Sequence, residues 1–151
     1  MKLATLCYVR QSGKTLMIHR NKKENDMHAG KWNGLGGKLL PGETPEACAV
    51  REVREECDLT ISNPIMKGVL TFPSFNGEDW YVWLFVAAAF SGELKESNEG
   101  HLAWINDNEL FNLNLWEGDR VFLPLLDGDR FFSGKFIYRD GKLVDHRIIL
   151  H

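Results

Sequence analysis

Three glutamates lie close together on one predicted helix, between residues 45 and 57. Glu55 follows Glu52 by three residues and Glu56 follows it by four, so the three carboxylates share one arc of the helix surface. Like charges at this spacing cost a helix roughly 0.2–0.5 kcal/mol per pair. A cluster of this kind is often a solvated acidic face, and Arg51 can reach Glu55 from the preceding turn.

A glycine pair and a further acid precede this helix. Gly36 and Gly37 allow the backbone to come close to a ligand, and Glu43 lies at the turn that enters the helix. Mg²⁺ and Mn²⁺ prefer hard oxygen ligands in octahedral geometry. Glycine backbone beside several carboxylates therefore favours a Mg²⁺ or Mn²⁺ site over a solvated face.

The spacing of these residues resembles a known family signature. Gly37, five residues, Glu43, seven residues and the run 51–59 (REVREECDL) are similar to the Nudix box, GX5EX7REUXEEXGU. Eight of its nine defined positions match, and such a match arises by chance on the order of 10⁻⁸ times per window at average residue usage. The departure is Asp58, where the box has Gly. An Asp in the left-handed conformation that ends a helix predicts slight strain and no loss of chemistry.

The resemblance implies a reaction and a set of metal ligands. The reaction is hydrolysis of a nucleoside diphosphate linked to another moiety, by attack of water on a phosphorus of the diphosphate. The implied metal-binding carboxylates are those of Glu52, Glu55 and Glu56, and the backbone carbonyl of Gly37 is implied as a further ligand.

The resemblance also assigns residues that would orient the site or move a proton. Arg51 is expected to orient the carboxylates of Glu43 and Glu52. Glu99 lies in a polar loop where family members often carry an extra catalytic acid, so it is expected to be a metal ligand or the general base. Glu56 is the alternative candidate for the base.

The resemblance extends to segments 32–38 and 116–124 and to the C-terminal hairpin. These are similar to the MutT-like branch, which hydrolyses oxidised purine nucleoside triphosphates such as 8-oxo-dGTP. Aromatic faces stack on bases for roughly 1–3 kcal/mol each, and an Asn side chain offers both donors and an acceptor to a base edge. The substrate-binding residues that follow are Asn33, Gly36, Gly37, Lys38, Lys23, Met27, Phe72, Trp116 and Asp119.

Two positions depart from the vertebrate members of that branch. They have paired acids where this chain has Gly118 and Asp119, and Phe where it has Met27. One base-recognition group is therefore absent and one wall of the pocket is softer. His28 and Lys23, in the polar stretch before the glycines, are expected to meet the substrate phosphates.

The predicted function is a Mg²⁺-dependent pyrophosphohydrolase that converts a nucleoside triphosphate and water to the monophosphate and pyrophosphate. Its expected substrates are oxidised or modified purine triphosphates such as 8-oxo-dGTP. One alternative is a Nudix hydrolase of another diphosphate-linked substrate, such as dihydroneopterin triphosphate or general housecleaning dNTPs. Another is a catalytically silent Nudix-like ligand sensor, against which the intact box carboxylates count.

Composition narrows the class of partner. The 151 residues carry 18 Lys+Arg and 21 Asp+Glu, a net charge of −3, and such a surface binds nucleic-acid polymers poorly. The longest near-apolar run, residues 81–90, is about half of what a bilayer span needs. Three cysteines without a CxxC pair favour a reducing compartment. We expect a cytoplasmic protein with a small nucleotide as its partner and no membrane; the sequence does not indicate an oligomeric state.

The elements that must position these residues follow from hydrophobic patterning and turn residues. A helix is expected from Pro45, capped by Thr44, to about Cys57, with Ala47, Val50, Val53 and Cys57 on its core face. Strands are predicted at 3–10, 14–20, 65–75, 80–90, 101–105, 131–139 and 142–150, with turns at 11–13, 76–77 and 140–141.

Two shorter helices complete the prediction. Asn106 and Asp107 are expected to cap the first, and residues 117–126 to form the second. One domain over residues 1–151 with an α/β (α+β) fold follows. The family resemblance implies an α-β-α sandwich with a mixed sheet and the box helix on one face.

Overall fold

A mixed β-sheet of eight strands forms the centre of the computed structural model, which describes residues 1–21 and 28–151. The predicted site residues Lys23 and Met27 lie outside the described residues. The strands are β1 Lys2–Gln11, β2 Lys14–His19, β3 Trp32–Asn33, β4 Thr60–Ser62, β5 Ile65–Phe75, β6 Glu78–Ala87, β7 Ala89–Ser91, β8 His101–Asn106, β9 Phe132–Arg139 and β10 Lys142–Leu150.

The order across the large sheet is β10-β9-β5-β6-β1-β2-β3, with β8 also paired to β2. The pairs β1–β6 and β5–β9 are parallel, and the other pairs of this sheet are antiparallel. β4 and β7 form a separate two-stranded sheet. The predicted strand 80–90 is therefore wrong in extent, because β6 ends at Ala87 and the chain then pairs with β4.

Three hairpin turns have two consecutive residues at positive φ, as type I′ turns require. Asn and Asp tolerate this conformation better than other non-glycine residues, and glycine adopts it freely. The turns at 76–77 and 140–141 are confirmed, and the first turn is the shorter Ser12-Gly13 because Gln11 still pairs with Lys14. The residue pairs are Ser12-Gly13, Asn76-Gly77 and Asp140-Gly141.

The long helix, α1, spans Pro45–Cys57 as predicted. Thr44 Oγ1 accepts a hydrogen bond from the Ala47 N–H at 3.1 Å, and Asp58 ends the helix in the left-handed conformation at φ 65°. The predicted core face was wrong at Ala47, which is exposed. Compared with the predicted face, the buried face is rotated around the helix toward the glycine segment. Its buried residues are Cys48, Ala49, Val53, Glu56 and Cys57.

Helices cover both faces of the sheet, so the predicted α-β-α sandwich is confirmed. On one face, Ala49, Val53 and Cys57 of α1 pack against β1, β2 and β6. On the other face, Phe122 and Leu126 pack against β5, β6 and β9. The apolar surface of the sheet is thus buried twice, which is the main stabilising term for such a fold.

The shorter helices differ from the prediction. Residues 117–126 are not one helix: α2 spans only Asp119–Phe122, and a 3₁₀ helix follows at Leu123–Asp127. Pro124 has no N–H to donate inside an α-helix, which explains the change of type. Another 3₁₀ helix spans Asp107–Asn112, where the Asn106 side chain makes no cap; Asp107 instead accepts a hydrogen bond from the Thr15 hydroxyl.

Of the helices in the described residues, none is both long enough and apolar enough to cross a bilayer.

Candidate active site

The glycine segment lies antiparallel to β1 and is held to it by backbone hydrogen bonds. The N–H of Leu35 reaches the Cys7 carbonyl at 3.0 Å, and the N–H of Thr5 reaches the Gly37 carbonyl at 2.9 Å. A Cβ at Gly36 would overlap the Thr5 carbonyl, and one at Gly37 would lie 2.5 Å from the Glu52 carboxyl carbon. Gly36 is required because the β1 backbone leaves no room for a side chain, whereas a side chain at residue 37 would displace the Glu52 carboxylate.

This pairing changes the interpretation of the Gly37 carbonyl, which the sequence predicted as a metal ligand. It accepts the Thr5 N–H, and the Cys48 Sγ lies 3.5 Å away, so it faces β1. In extended chain the N–H and carbonyl of one residue share a direction that alternates along the chain. Gly36 donates its N–H to Glu56 at 2.8 Å, so the Gly36 carbonyl faces α1, the box helix.

Arg51 connects the turn before α1 to the helix. Its guanidinium holds both Glu43 oxygens, at 2.8 and 2.9 Å, and donates to Glu52 at 2.8 Å and to Glu55 at 3.2 Å. The hydrogen bond from Arg51, with a second from the Leu40 N–H, lowers the pKa of Glu43 from 4.5 to about 2. Such a bidentate pair fixes orientation as well as charge. Arg51 thus contacts both carboxylates that it was expected to orient.

Glu56 is the buried member of the acidic cluster, with 9% of its surface exposed. One oxygen accepts the Gly36 N–H, and the other is buried with no hydrogen-bond partner in residues 1–21 and 28–151. Burial raises the pKa of Glu56 from 4.5 to about 8; the Gly36 hydrogen bond opposes this shift, and the nearby Glu99 charge adds to it. A buried carboxyl with an unpartnered oxygen fits a cation bound beside it, since the cation would compensate for the lost hydration.

The other two box carboxylates have different surroundings. The Glu52 side chain is 17% exposed and that of Glu55 is 59% exposed, and both are hydrogen-bonded to Arg51. Among the described residues, no three acidic, His or Cys side chains converge closely enough to hold a metal by themselves. One or two carboxylates on one helix suit Mg²⁺, which commonly binds that number of protein carboxylates and completes its shell with waters and substrate phosphates.

Glu99 lies on the same side of the molecule as Glu56. Its carboxylate accepts a hydrogen bond from Arg20 at 2.6 Å, and its charge raises the pKa of Glu56. The loop can pass this close to β2 because residue 100 is glycine; a Cβ there would overlap the His19 carbonyl. The structure therefore brings Glu99 toward the box helix from a distant part of the chain.

A cleft of about 560 Å³ extends from the glycine segment across the sheet. Its walls are mostly aromatic on one side and glycine backbone on the other. Of the predicted substrate-binding residues, those in the described part of the chain all line it. They are Asn33, Gly36, Gly37, Lys38, Phe72, Trp116 and Asp119.

Two buried polar side chains lie at the far end of this cleft. Asn33 is carried by β3, and its Nδ2 is buried without a hydrogen-bond partner among the described residues. Asp119 begins α2 and is 8% exposed; burial raises its pKa from 3.8 to about 7, against the opposing charges of Lys31 and Arg120. Such groups are costly to bury unless a ligand completes their hydrogen bonds.

Several cleft residues were missed by sequence reasoning. Phe75, Trp80 and Tyr138 line the cleft, and Lys31 lies 5.2 Å from the ring centre of Trp116. Their positions depend on strand pairings between distant segments, for which the sequence carries no local signal. His28, expected near the phosphates, lines this cleft and accepts a hydrogen bond from Trp116 Nε1 at 2.8 Å.

Comparison with known proteins decides the family. A model described as the NUDIX domain matches residues 1–126. This chain belongs to the Nudix family. The match includes both the glycine segment and the box helix, and it extends over the cleft residues up to Asp119.

Two curated relatives extend this Nudix assignment over nearly the whole chain. The chain is 31% identical to the Nudix hydrolase YvcI of Bacillus subtilis, covering 98% of this chain and 94% of that protein. It is 35% identical to the oxidized purine nucleoside triphosphate hydrolase of Danio rerio, covering 97% and 94%. The mutator MutT protein of Bacillus halodurans has the same fold, with a TM-score of 0.86 and 29% identity over 98% of this chain and 97% of that one.

The protein is therefore a Nudix hydrolase of the MutT-like type. Members of this family generally require a divalent metal and act on small nucleotide substrates. The acidic box helix and the aromatic cleft are the two parts of the structure that correspond to those two needs.

Proposed function

We propose that residues 1–151 act as one domain, a Mg²⁺-dependent nucleoside triphosphate pyrophosphohydrolase for oxidised or modified purine nucleotides such as 8-oxo-dGTP. It would convert the triphosphate and water to the monophosphate and pyrophosphate. The observation that carries this proposal is the pair of buried polar side chains, Asn33 and Asp119, at the aromatic end of the cleft. The name of the Danio rerio relative, oxidized purine nucleoside triphosphate hydrolase, supports the same substrate class.

The base would bind among the aromatic rings. Trp116 and Phe72 offer faces on which a purine can stack, and stacking of this kind contributes roughly 1–3 kcal/mol per base. Asn33 would donate its unpartnered Nδ2 hydrogen atoms to the base edge. Asp119 would hydrogen-bond the same edge, as acceptor when ionised and as donor when protonated.

The phosphates would extend toward the glycine segment and the box helix. Lys38 lines this end of the cleft, and its ammonium lies 5.6 Å from the ring centre of Trp80. Glu56, supported by Glu52 and the Gly36 carbonyl, would hold Mg²⁺, with Glu55 and Glu99 as further carboxylates. When bound, the metal neutralises the phosphates, polarises the phosphoryl oxygens and lowers the pKa of the attacking water.

The protein's own groups would do the rest of the chemistry. Arg51 fixes the side chains of Glu43 and Glu52, so the metal-binding carboxylate is oriented before substrate arrives. Either Glu56 or Glu99 would accept the proton of the attacking water. Arg20 orients Glu99 toward the site.

The deciding experiment is pyrophosphate release with Mg²⁺ over a panel of unmodified and oxidised dNTPs. We expect kcat/KM for 8-oxo-dGTP to exceed that for dGTP by at least roughly tenfold, a difference of about 1.4 kcal/mol in transition-state binding. Chromatography of the products should give the monophosphate and pyrophosphate. Equal values for the two nucleotides would refute the proposed substrate class, and release of orthophosphate would refute the proposed bond.

A variant of the base end separates binding from chemistry. Asn33→Ala removes a hydrogen bond to the base, so KM for the oxidised nucleotide should rise roughly tenfold while kcat changes little. Asn108→Ala is the matched control, because Asn108 is exposed on a 3₁₀ helix away from the cleft. Unchanged KM in Asn33→Ala would remove Asn33 from the binding site.

A further inference from the structure

The hydroxyl of Tyr138 occupies the space beside Gly118, at the start of the segment that carries Asp119. The Gly118 N–H donates to Tyr138 Oη at 2.7 Å. A Cβ at position 118 would lie 2.7 Å from that oxygen and 2.9 Å from the Phe136 ring. A side chain at 118 and the hydroxyl of Tyr138 therefore exclude each other.

Tyr138 belongs to the aromatic wall of the cleft. Its ring centre lies 5.5 Å from that of Trp116 and 6.3 Å from that of Phe72. Tyr138 lines the cleft and is 9% exposed, so its hydroxyl lies in a mostly dry region. A hydrogen bond made here is worth more than one made in water, and a missing one costs more.

The hydrogen bonds of this hydroxyl leave one donor over. A phenol oxygen that accepts the Gly118 N–H still carries its own hydrogen atom. Burial raises the pKa of Tyr138, so the hydroxyl stays protonated at neutral pH. Among the described residues, no acceptor is hydrogen-bonded to this O–H. The donor is therefore available to a molecule in the cleft.

The neighbouring group is the carboxyl of Asp119, one residue after Gly118. A donor beside a carboxylate acceptor is complementary to a purine that has a keto oxygen at C6 and a hydrogen atom on N1. A 6-aminopurine presents the opposite pattern, an amino donor at C6 and an acceptor at N1. Asp119 can adapt by taking up a proton, but the phenol oxygen already accepts the Gly118 N–H and is poorly able to accept another hydrogen atom.

We propose that Tyr138 is a specificity-determining residue of the base pocket, whose hydroxyl donates to the C6 keto oxygen and selects 6-oxopurine over 6-aminopurine nucleotides. The inference rests on the proposed function, since it needs a purine base in this cleft. Because its oxygen already accepts the Gly118 N–H, the Tyr138 hydroxyl presents a donor to the ligand. Gly118 is its necessary partner, because any side chain there would displace the hydroxyl.

The test measures binding of monophosphates without metal, so it does not depend on turnover. The probes are 8-oxo-dIMP and 8-oxo-dAMP, which differ at C6 and N1, and 2-deoxyribose 5-phosphate, which has no base. Calorimetric titration compares wild type, Tyr138→Phe and the matched control Tyr81→Phe, whose side chain is on β6 outside the cleft. We expect Tyr138→Phe to weaken 8-oxo-dIMP binding roughly tenfold and 8-oxo-dAMP binding less than twofold.

The other outcomes separate the two proposals. Equal weakening of both purines by Tyr138→Phe would mean that the hydroxyl only supports the wall, and unchanged binding of both would remove its role; each overturns the inference while base recognition stands. If wild type binds neither purine more tightly than the sugar phosphate, the proposed function itself fails, and the inference with it. Thermal unfolding of each variant checks the fold, and Gly118→Ala, which displaces the hydroxyl by a different route, should reproduce the loss of selectivity.

Discussion

The carboxylate end of the site, on α1 beside the glycine segment, and the base end, in the cleft, differ in how far their polar groups are already hydrogen-bonded within the protein. At the carboxylate end, Arg51 already satisfies Glu43, Glu52 and Glu55 by hydrogen bonds inside the protein. At the base end, Asn33 Nδ2 has no hydrogen-bond partner among the described residues, and burial raises the pKa of Asp119. One end is organised in advance of any ligand, whereas the other leaves hydrogen bonds for the ligand to complete.

This difference matches what each end has to do. A hydrolytic centre gains rate when its groups are already oriented, because no reorganisation is then needed in the transition state. A recognition pocket gains selectivity when unpartnered groups stay unsatisfied with the wrong ligand. Glu56 is the exception at the carboxylate end, since one of its oxygens is buried without a hydrogen-bond partner among the described residues. It is therefore the group at which we propose that the cation binds.

The largest expected effect tests this exception. Glu56→Gln keeps an acceptor for the Gly36 N–H but removes the negative charge, so turnover should fall by roughly 10²–10⁴-fold while the fold survives. Pyrophosphate release measures the loss, and circular dichroism checks the fold. Glu46→Gln, at an exposed position in the first turn of the same helix, is the control and should retain full activity. Turnover like that of wild type in Glu56→Gln would contradict the assignment of the metal site.

A smaller loss is expected where the carboxylate end is organised by Arg51. Arg51→Lys cannot hold Glu43 through two nitrogens and reach Glu52 as well, so turnover or apparent Mg²⁺ affinity should fall roughly 10–100-fold. Titration of activity with Mg²⁺ gives both quantities. Arg54→Lys is the matched control, because Arg54 is 61% exposed and pairs only with groups at the helix end. Equal effects of the two substitutions would mean that preorganisation by Arg51 has no role.

The buried acid of the base end, Asp119, should affect the pH dependence of stability. The pKa of Asp119 is raised from 3.8 to about 7 in the folded protein, so between these values the folded state holds a proton that the unfolded state has lost. Stability must then fall as pH rises through this window. Glu56, whose pKa burial raises from 4.5 to about 8, adds a decline of the same sign, so Asp119 accounts for only part of it. Glu43, whose pKa is lowered to about 2, makes the opposite contribution, which is lost only as pH falls below about 4.5.

Asp119→Asn should therefore flatten the decline in the melting temperature between pH 5 and pH 8 and should melt a few degrees higher than wild type at pH 8. Thermal unfolding at three pH values measures this, with Asp140→Asn in the exposed β9–β10 turn as control. A decline as steep in Asp119→Asn as in wild type would show that the pKa of Asp119 is not raised in the folded protein.

The smallest effect is expected at the helix end, outside both regions. Asp58→Gly relieves the left-handed backbone at φ 65° but removes ion pairs with Arg54 and Lys95, so the melting temperature should change by less than about 2 °C. Activity should stay within about twofold. Asp58→Asn separates charge from backbone, because Asn tolerates the left-handed conformation and carries no charge. A large loss of turnover in Asp58→Gly would mean that Asp58 contributes to catalysis, contrary to this prediction.

The carboxylate end could be predicted from sequence because its residues are close together in the chain. Helix periodicity and turn chemistry are local, so the extent of α1 and the turn at Asn76-Gly77 also followed from patterning. The exposed Ala47 shows the limit, since the buried face of α1 is set by the glycine segment rather than by the helix alone. The direction of the Gly37 carbonyl depends in the same way on pairing with β1.

The base end was only partly predictable because it is assembled from distant segments. Tyr138 comes close to Phe72 through the parallel pairing of β5 with β9, whose strands are separated by most of the C-terminal half. The spacing of residues in the sequence does not indicate which distant strands pair. An aromatic residue on a buried strand is usually interpreted as part of the hydrophobic core. The Nudix resemblance supplied Asn33, Phe72, Trp116 and Asp119, but it could not indicate that the Tyr138 hydroxyl lies beside Gly118.

The attachment of the glycine segment to β1 has a consequence for how this enzyme could change over evolution. Thr5 and Cys7 hold that segment by their backbone groups, so substitutions of their side chains leave those hydrogen bonds in place. The base pocket, by contrast, is built from side chains on several strands and loops, each of which can be exchanged singly. New nucleotide preferences can therefore arise by ordinary point mutation while the hydrolytic centre is inherited unchanged.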